Sequence, residues 1–536
     1  MARLARWDSE GASERYWRKD PGFWPAATPQ DVATRLGWLT LTESMGERLA
    51  AAQELVYAAR DEGVERLLLL GMGGSSLAPE VFAQTWGAVR GAPRLEVLDS
   101  THPAAVRAAE SAGRLDRTWF IVSSKSGSTL EPNSFFEYFW SRLSTPVEKR
   151  GRQFLAITDP GSPLETLAKQ HQFRHCFLAP PDVGGRYSAL TEFGLVPAAI
   201  AGVDVRQLLQ RAREMAESCS PAVPASKHPG FQLGAALGEL AVHGRDKVTF
   251  VVSPALSGFP AWAEQLIAES TGKTGKGIVP VAGEVAPFEA TNSRDRVVVE
   301  LRFRSEEARE LDTGAALAGA AGVPVLRFAL DDLHELGAEF FRWEFAVAAA
   351  GVIVGIDPFD QPDVELAKEL ARRAMSADAP APSGGVVALP VGPSWEYTSG
   401  LARWLAEANV GDYVAIQAFL APSDRIDEKL RALRSALRRR LRVSTTLGYG
   451  PRFLHSTGQL HKGGPASGLF LQLVDEPSEA LELPAGHGSF GKIIRAQADG
   501  DAQALEQKGR RLFRVQLGRD PISALESLTR SVASGP

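Results

Sequence analysis

Arg66-Leu-Leu-Leu-Leu-Gly71 sets the tightest limit on the fold. Four successive leucines between an arginine and a glycine make too short a run for a buried helix. As a strand they put apolar side chains on both faces, so both faces must be covered. Such a strand belongs to a parallel sheet with helices above and below it. It empties into Gly71-Met-Gly-Gly-Ser-Ser-Leu-Ala-Pro79, whose glycines let backbone approach a ligand and whose proline opens a helix. The pattern recurs, with strands expected at 95–99, 118–123 and 154–158, then at 247–253, 278–281, 297–303 and 323–329. Helical stretches lie between them, and helices are expected over 42–61 and 337–354. The alternation predicts an α/β protein with two doubly wound parallel sheets in three-layer αβα arrangement, with ligands at the carboxyl ends of the strands. Further strands at 413–419, 441–446, 468–473 and 512–517 add a C-terminal α/β extension.

A chain of 536 residues exceeds one ordinary core. The expected division is a packing arm over 1–45, which carries Trp7, Trp17, Trp24 and Trp38, then α/β units over 46–224 and 225–378. A Pro-, Ala- and Gly-rich linker over 379–395 leads into the last unit, 396–536. Lys plus Arg (59) against Asp plus Glu (64) leaves a net charge of -5, so there is no global electrostatic case for nucleic acid or an anionic membrane. The arginines and lysine between 429 and 440 read as the solvated face of an amphipathic helix. An anionic substrate must therefore meet a local basic site. Two cysteines, Cys176 and Cys219, cannot build a disulfide framework or a four-ligand zinc site. The N-terminus has no apolar signal core, and the longest apolar run, 345–356, is too short to span a bilayer. A cytoplasmic protein is expected.

Five stretches could carry chemistry. In Ile121-Val-Ser-Ser-Lys-Ser-Gly-Ser-Thr-Leu-Glu131, a strand end meets a loop of hydroxyls and one lysine just before a helix start. Backbone N–H groups, a helix dipole and Ser124, Lys125, Ser126, Ser128 and Thr129 there suit a phosphate, although the same string makes an ordinary polar turn. The glycine loop 71–79 is the second stretch, set beside the first on the same sheet edge. In the third, Val183-Gly-Gly-Arg-Tyr-Ser188, Arg186 can stabilise an oxyanion or merely decorate a glycine turn. Fourth, Gln265 and Glu269 lie one turn apart on one helix face, and the apolar Trp262, Leu266 and Ile267 around Glu269 suit a carboxylate to proton transfer. A solvated helix glutamate is the plainer alternative. The fifth, Gly355-Ile-Asp-Pro-Phe-Asp-Gln-Pro-Asp-Val-Glu-Leu-Ala-Lys368, is a turn feeding a helix.

In this order the five stretches resemble the glucose-6-phosphate isomerase family, which is built from two sugar-isomerase (SIS) domains. Residues 71–79 look like its GIGGS loop, and Ser124-Lys-Ser-Gly-Ser-Thr129 like its SKTFTT phosphate loop. Residues 183–188 match its VGGR signature. Gln265 and Glu269 match a Gln-x-x-x-Glu whose glutamate is the base, and 356–368 are close to INxFDQxGVELGK. The chain departs from the family in its histidine. No TNGQH-like stretch lies between Glu269 and Phe359, where His334 is the only histidine and its setting does not match. The nearest likeness is Phe453-Leu-His-Ser-Thr-Gly-Gln-Leu-His-Lys-Gly-Gly464, in the last unit. With that extension, the whole chain is similar to the isomerase part of bifunctional transaldolase/glucose-6-phosphate isomerase proteins.

The resemblance implies reversible isomerisation of glucose 6-phosphate and fructose 6-phosphate through a cis-enediol, in a homodimer. It implies no metal and no cofactor. Ser124, Lys125, Ser126 and Thr129 are then expected on the phosphate, and Gly74 and Ser75 along the sugar. Glu269 is the expected base, Arg186 the expected enediolate partner, and Gln265 and Gln361 are expected to orient substrate. Lys368 and His461 are expected to open the ring, with His455 as the competitor. The rival readings are an isomerase for another hexose phosphate, such as mannose or glucosamine phosphate, and a regulatory module that binds sugar phosphate without chemistry.

Overall fold

In the computed structural model, which describes residues 1–284, 294–305, 319, 322–363, 369 and 387–534, the strands form three sheets in which every pairing is parallel. The first contains β1 (Arg66–Gly71), β2 (Arg94–Leu98), β3 (Thr118–Ser123), β4 (Phe154–Thr158) and β5 (His175–Leu178), in the order β2-β1-β3-β4-β5. The second has β6 (Lys247–Val252), β7 (Val279–Val281), β8 (Arg296–Phe303) and β9 (Val325–Leu330), in the order β7-β6-β8-β9. The third comprises β10 (Leu389–Pro390), β11 (Tyr413–Phe419), β12 (Ser444–Tyr449), β13 (Gly468–Val474) and β14 (Arg511–Gln516), in the order β10-β14-β13-β11-β12. Every residue of β1, β3, β11 and β13 is buried, as apolar strands covered on both faces require.

The first sheet turns back on itself between β1 and β3. The chain leaves β1 for β2 on one side and returns to β3 on the other, pairing Gly71 with Ser123. Loops at such a switch point diverge and leave a crevice for a ligand. The second sheet does the same between β6 and β8, and the chain after β6 runs into the helix Phe259–Thr271.

The N-terminal residues lash the first two sheets together. Tyr16 stacks on Phe345 at 3.8 Å between ring centroids, Trp38 stacks on Tyr187 at 5.6 Å, and Trp24 meets Phe359 edge-on at 5.5 Å. The indole of Trp24 also donates to the carbonyl of Ala348. Trp38 and Trp24 thereby back two of the candidate stretches, 183–188 and 355–361.

Three expectations are corrected, and one strand, β5, was not expected. The helix over 42–61 is two helices, Leu41–Arg48 and Ala50–Asp61, with the break at Leu49. Strand β5 lies at a half-buried edge where the apolar signal is weak. Strand β12 starts three residues later than expected, because the helix Asp424–Leu441 runs on until Arg442 caps it in a left-handed conformation. Leu389 and Pro390, inside the expected linker, pair with β14. The rest of that linker up to residue 386 lies outside the described residues.

Candidate active site

Five elements from three sheets meet where the carboxyl ends of β1 and β3 diverge. The turn Gly73–Ser75 follows β1, and Gly73 adopts φ +54°. A Cβ there would stand 2.6 Å from the carbonyl oxygen of His455 and 3.0 Å from Nε2 of Gln265. At Gly74 a Cβ would stand 2.1 Å from the carbonyl oxygen of Gly185. Glycine is thus required at both positions by close backbone approach. Ser75 is buried, and its carbonyl accepts from Ser123 Oγ at 2.9 Å.

The loop after β3 is folded by its own hydroxyls. Ser124 Oγ donates to Thr129 Oγ1 at 3.0 Å and Ser128 Oγ to Ser126 Oγ at 3.1 Å. Gly127, at φ +67°, packs where a Cβ would be 2.6 Å from the Leu164 amide nitrogen. Ser126 and Ser128 are exposed and Thr129 is half-buried, immediately before the helix Leu130–Arg142. Hydroxyls, backbone amides and the positive helix end therefore share one small volume. Lys125 Nζ is 2.6 Å from Asp159 Oδ2, so much of its charge is already matched.

Arg186 is buried, and its guanidinium is held on several sides. Nε donates to Ser270 Oγ at 2.8 Å, Nη1 to Gln361 Oε1 at 2.6 Å, and Nη2 to the carbonyls of Pro358 and Asp360 at 2.6 and 3.0 Å. Nη1 stands 3.5 Å from Oε1 of Glu269. Lys273 supports the same turn by donating to the carbonyls of Asp357 and Asp360; burial, with Arg186 adding, pushes its ammonium down to about 8.

Glu269 and Gln265 lie on one face of the helix Phe259–Thr271, both buried. Gln265 Nε2 donates to Glu269 Oε2 at 3.1 Å and to the carbonyl of His455 at 2.8 Å. Its Oε1 is buried without a hydrogen-bond partner among the described residues. An orphaned acceptor costs about 1–3 kcal/mol unless a ligand donates to it.

The third sheet brings His455 to the cluster. In the turn Arg452–His455, His455 Nε2 is 2.9 Å from Glu131 Oε1, on the helix after the hydroxyl loop. Its Nδ1 has no hydrogen-bond partner among the described residues. Arg452 fixes the turn by donating to Glu80 Oε1 at 2.9 Å and pairing with Asp99 at 3.2 Å. His461 sits elsewhere. Its ring is buried between Phe453 and Phe470, with Nδ1 3.2 Å from Nε2 of Gln417, and burial holds it well below the usual imidazole range. It is a neutral core histidine, and His455 is the one that meets the cluster.

Gln361 joins the cluster through Arg186. Lys368 lies outside the described residues. The stretch before it is gripped at Asp363, whose amide donates to Gln459 Oε1 at 2.9 Å. Sequence reasoning missed Glu131 as the partner of a histidine. Its place directly after the hydroxyl loop is the only signal, and nothing local ties it to residue 455.

No family model matches the chain. Among curated proteins, a glucose-6-phosphate isomerase of Rubrobacter xylanophilus is 30% identical over 373 residues, which span 60% of this chain and 85% of that protein. A crystal structure of a hypothetical protein from Thermus thermophilus aligns with a TM-score of 0.58 at 26% identity, over 70% of this chain and 97% of the other. That of a glucose-6-phosphate isomerase from Chlamydia trachomatis aligns with a TM-score of 0.52 at 20% identity, over 63% of this chain and 74% of the other, a likeness of fold.

Proposed function

The chain belongs to the glucose-6-phosphate isomerase family, and we infer that it interconverts glucose 6-phosphate and fructose 6-phosphate through an enediol. The observation that carries the inference is the convergence of Glu269, Arg186, Gln265 and His455, drawn from three sheets, beside a hydroxyl-rich loop at a switch point.

In this reading Ser124, Ser126 and Thr129, with the loop amides and the start of the helix Leu130–Arg142, hold the phosphate. Lys125 contributes mainly backbone, because Asp159 shares its charge. Gly74 and Ser75 line the sugar, and the vacant Oε1 of Gln265 takes a sugar hydroxyl. Gln361 orients the substrate beside Arg186. Glu269 removes the proton from one of carbons 1 and 2 and returns it to the other. Arg186 faces the charge that develops on the oxygen, and its hydrogen bonds keep it from reorganising during the step. His455 opens the ring: Nε2–H donates to the Glu131 carboxylate, leaving Nδ1 to exchange a proton with the ring oxygen or the C1 hydroxyl. Lys368 is proposed as its partner in that step. The reaction is a proton transfer between neighbouring carbons, and a positioned carboxylate supplies about 10²–10⁴-fold of its rate.

The deciding variant is Glu269→Gln, nearly isosteric and unable to accept the proton. It is expected to bind fructose 6-phosphate and to lose turnover by about 10²-fold or more. Turnover near the parental rate would exclude Glu269 as the base, and retained binding with no isomerisation in the parent would favour the regulatory reading. Relative turnover on glucose, mannose and glucosamine phosphates separates the remaining rivals.

A further inference from the structure

Behind the His455–Glu131 pair stands a chain of two buried side chains that the reaction itself does not use. Gln497, on the helix Phe490–Gln507, donates Nε2–H to Glu131 Oε1 at 2.7 Å. This is the same oxygen that His455 Nε2 meets at 2.9 Å. The other end of the amide, Gln497 Oε1, accepts from Thr101 Oγ1 at 2.7 Å, in the loop after β2. Thr101, Gln497 and Glu131 are 0%, 4% and 4% exposed, so water does not replace these bonds.

The orientation of the amide follows from chemistry. Turned over, Gln497 would aim its carbonyl oxygen at a carboxylate oxygen 2.7 Å away, placing two acceptors in contact. The carboxylate therefore selects the orientation, and the Thr101 hydroxyl, donating to Gln497 Oε1, holds the amide in it. Glu131 Oε1 therefore accepts from the Gln497 amide and faces the His455 ring nitrogen at the same time. That fixes the rotation of its side chain. A carboxylate fixed in this way in turn holds His455 as the Nε2–H tautomer, with its ring plane set.

We propose that Gln497, anchored by Thr101, is a positioning residue for ring opening, acting on substrate only through Glu131 and His455. The proposal rests on the reading of His455 given above. It explains why one unit of the chain carries both the histidine and the amide behind its partner. Glu131 comes from the first unit and is gripped from two separate elements of the third, the turn Arg452–His455 and the helix Phe490–Gln507. Seating the third unit on the first thus sets the histidine and its tautomer together.

The test is a double-mutant cycle on the full chain. Gln497→Leu keeps the volume and removes the donor. It is expected to lower kcat roughly ten-fold, the scale of the partners behind a functional histidine, with KM for fructose 6-phosphate unchanged. In a His455→Ala background, the same substitution is expected to change the residual rate by less than about two-fold, since the residue through which it acts is gone. Thr101→Val gives a smaller loss in the same direction and serves if Gln497→Leu does not fold; Thr101→Ser restores most of what Thr101→Val loses. Equal losses in both backgrounds, or parental kcat in Gln497→Leu, overturn the proposal while leaving His455 in place. Parental turnover in His455→Ala overturns the assignment of His455 itself, and this proposal with it.

Discussion

Replacing Gly74 by alanine tests the packing on which the whole site depends. The new Cβ would lie 2.1 Å from the carbonyl oxygen of Gly185, 2.4 Å from its carbonyl carbon and 3.0 Å from its Cα. All three atoms are backbone, so no side chain can swing aside. A methyl group and a carbonyl oxygen rest more than 3 Å apart, so the turns Gly73–Ser75 and Gly185–Tyr187 must separate by roughly 1 Å. The second turn carries Arg186, whose far end is tied to Ser270, Gln361, Pro358 and Asp360. The separation therefore either pulls the guanidinium from Glu269 or lifts the first turn from the sugar. A displacement of that size costs about 10²-fold in kcat/KM, and the overpacking costs about 1–3 kcal/mol of stability. Steady-state isomerisation of fructose 6-phosphate, together with thermal or urea melts, reads both. Gly185→Ala is the stability control: its Cβ meets nothing within 4 Å, so its melt should match the parent. If Gly74→Ala melts and turns over like the parent, the two turns are not in the contact described and the steric account is wrong.

Two further predictions concern charge. Burial pushes the Glu264 carboxyl up from 4.5 to about 7, beside Arg452. A raised carboxyl costs nothing below the ordinary carboxylate range, and stability falls as pH rises from about 4.5 to about 7. Glu264→Gln should therefore be more stable than the parent at pH 8 by about 1–2 kcal/mol, allowing for partial solvent access, with the gap closing toward pH 4. Urea melts at several pH values check this, and a constant gap would contradict it. Asp159→Asn should free Lys125 for the phosphate and lower KM for fructose 6-phosphate by up to about ten-fold, the size of one charge-assisted hydrogen bond. An unchanged or raised KM would show that the lysine does not face the phosphate.

The fold was legible because burial on both faces leaves its mark on short windows. Arg66–Gly71, Thr118–Ser123 and Tyr413–Phe419 read as covered strands from their own residues, and alternation with helices then dictates parallel pairing. What was lost lay where that signal fades. His175–Leu178 is a half-buried edge strand, and Leu389–Pro390 is two residues of pairing within a linker-like composition. The break at Leu49 is a backbone event inside a run of good helix formers, and no side chain announces it.

The site divides along another line. Gln265 and Glu269 share a helix face, and the hydroxyls of 124–129 share a loop, so one short stretch is enough to see each group. His455 and His461 lie in one string of similar residues, and nothing in that string says which ring faces the substrate. The two differ in their partners: Arg452 is fixed by Glu80, 372 positions away, and His455 by Glu131, 324 positions away, whereas Phe453 and Phe470 of its own unit close over His461. The first two are contacts between units, created only when the third sheet seats on the first. A histidine carried so far along the chain can act only if that seating is exact to a hydrogen bond. The half-buried Arg452 and the buried Gln497 and Thr101 supply that exactness, which is why polar groups cluster where an apolar interface would have been the simpler way to join two units.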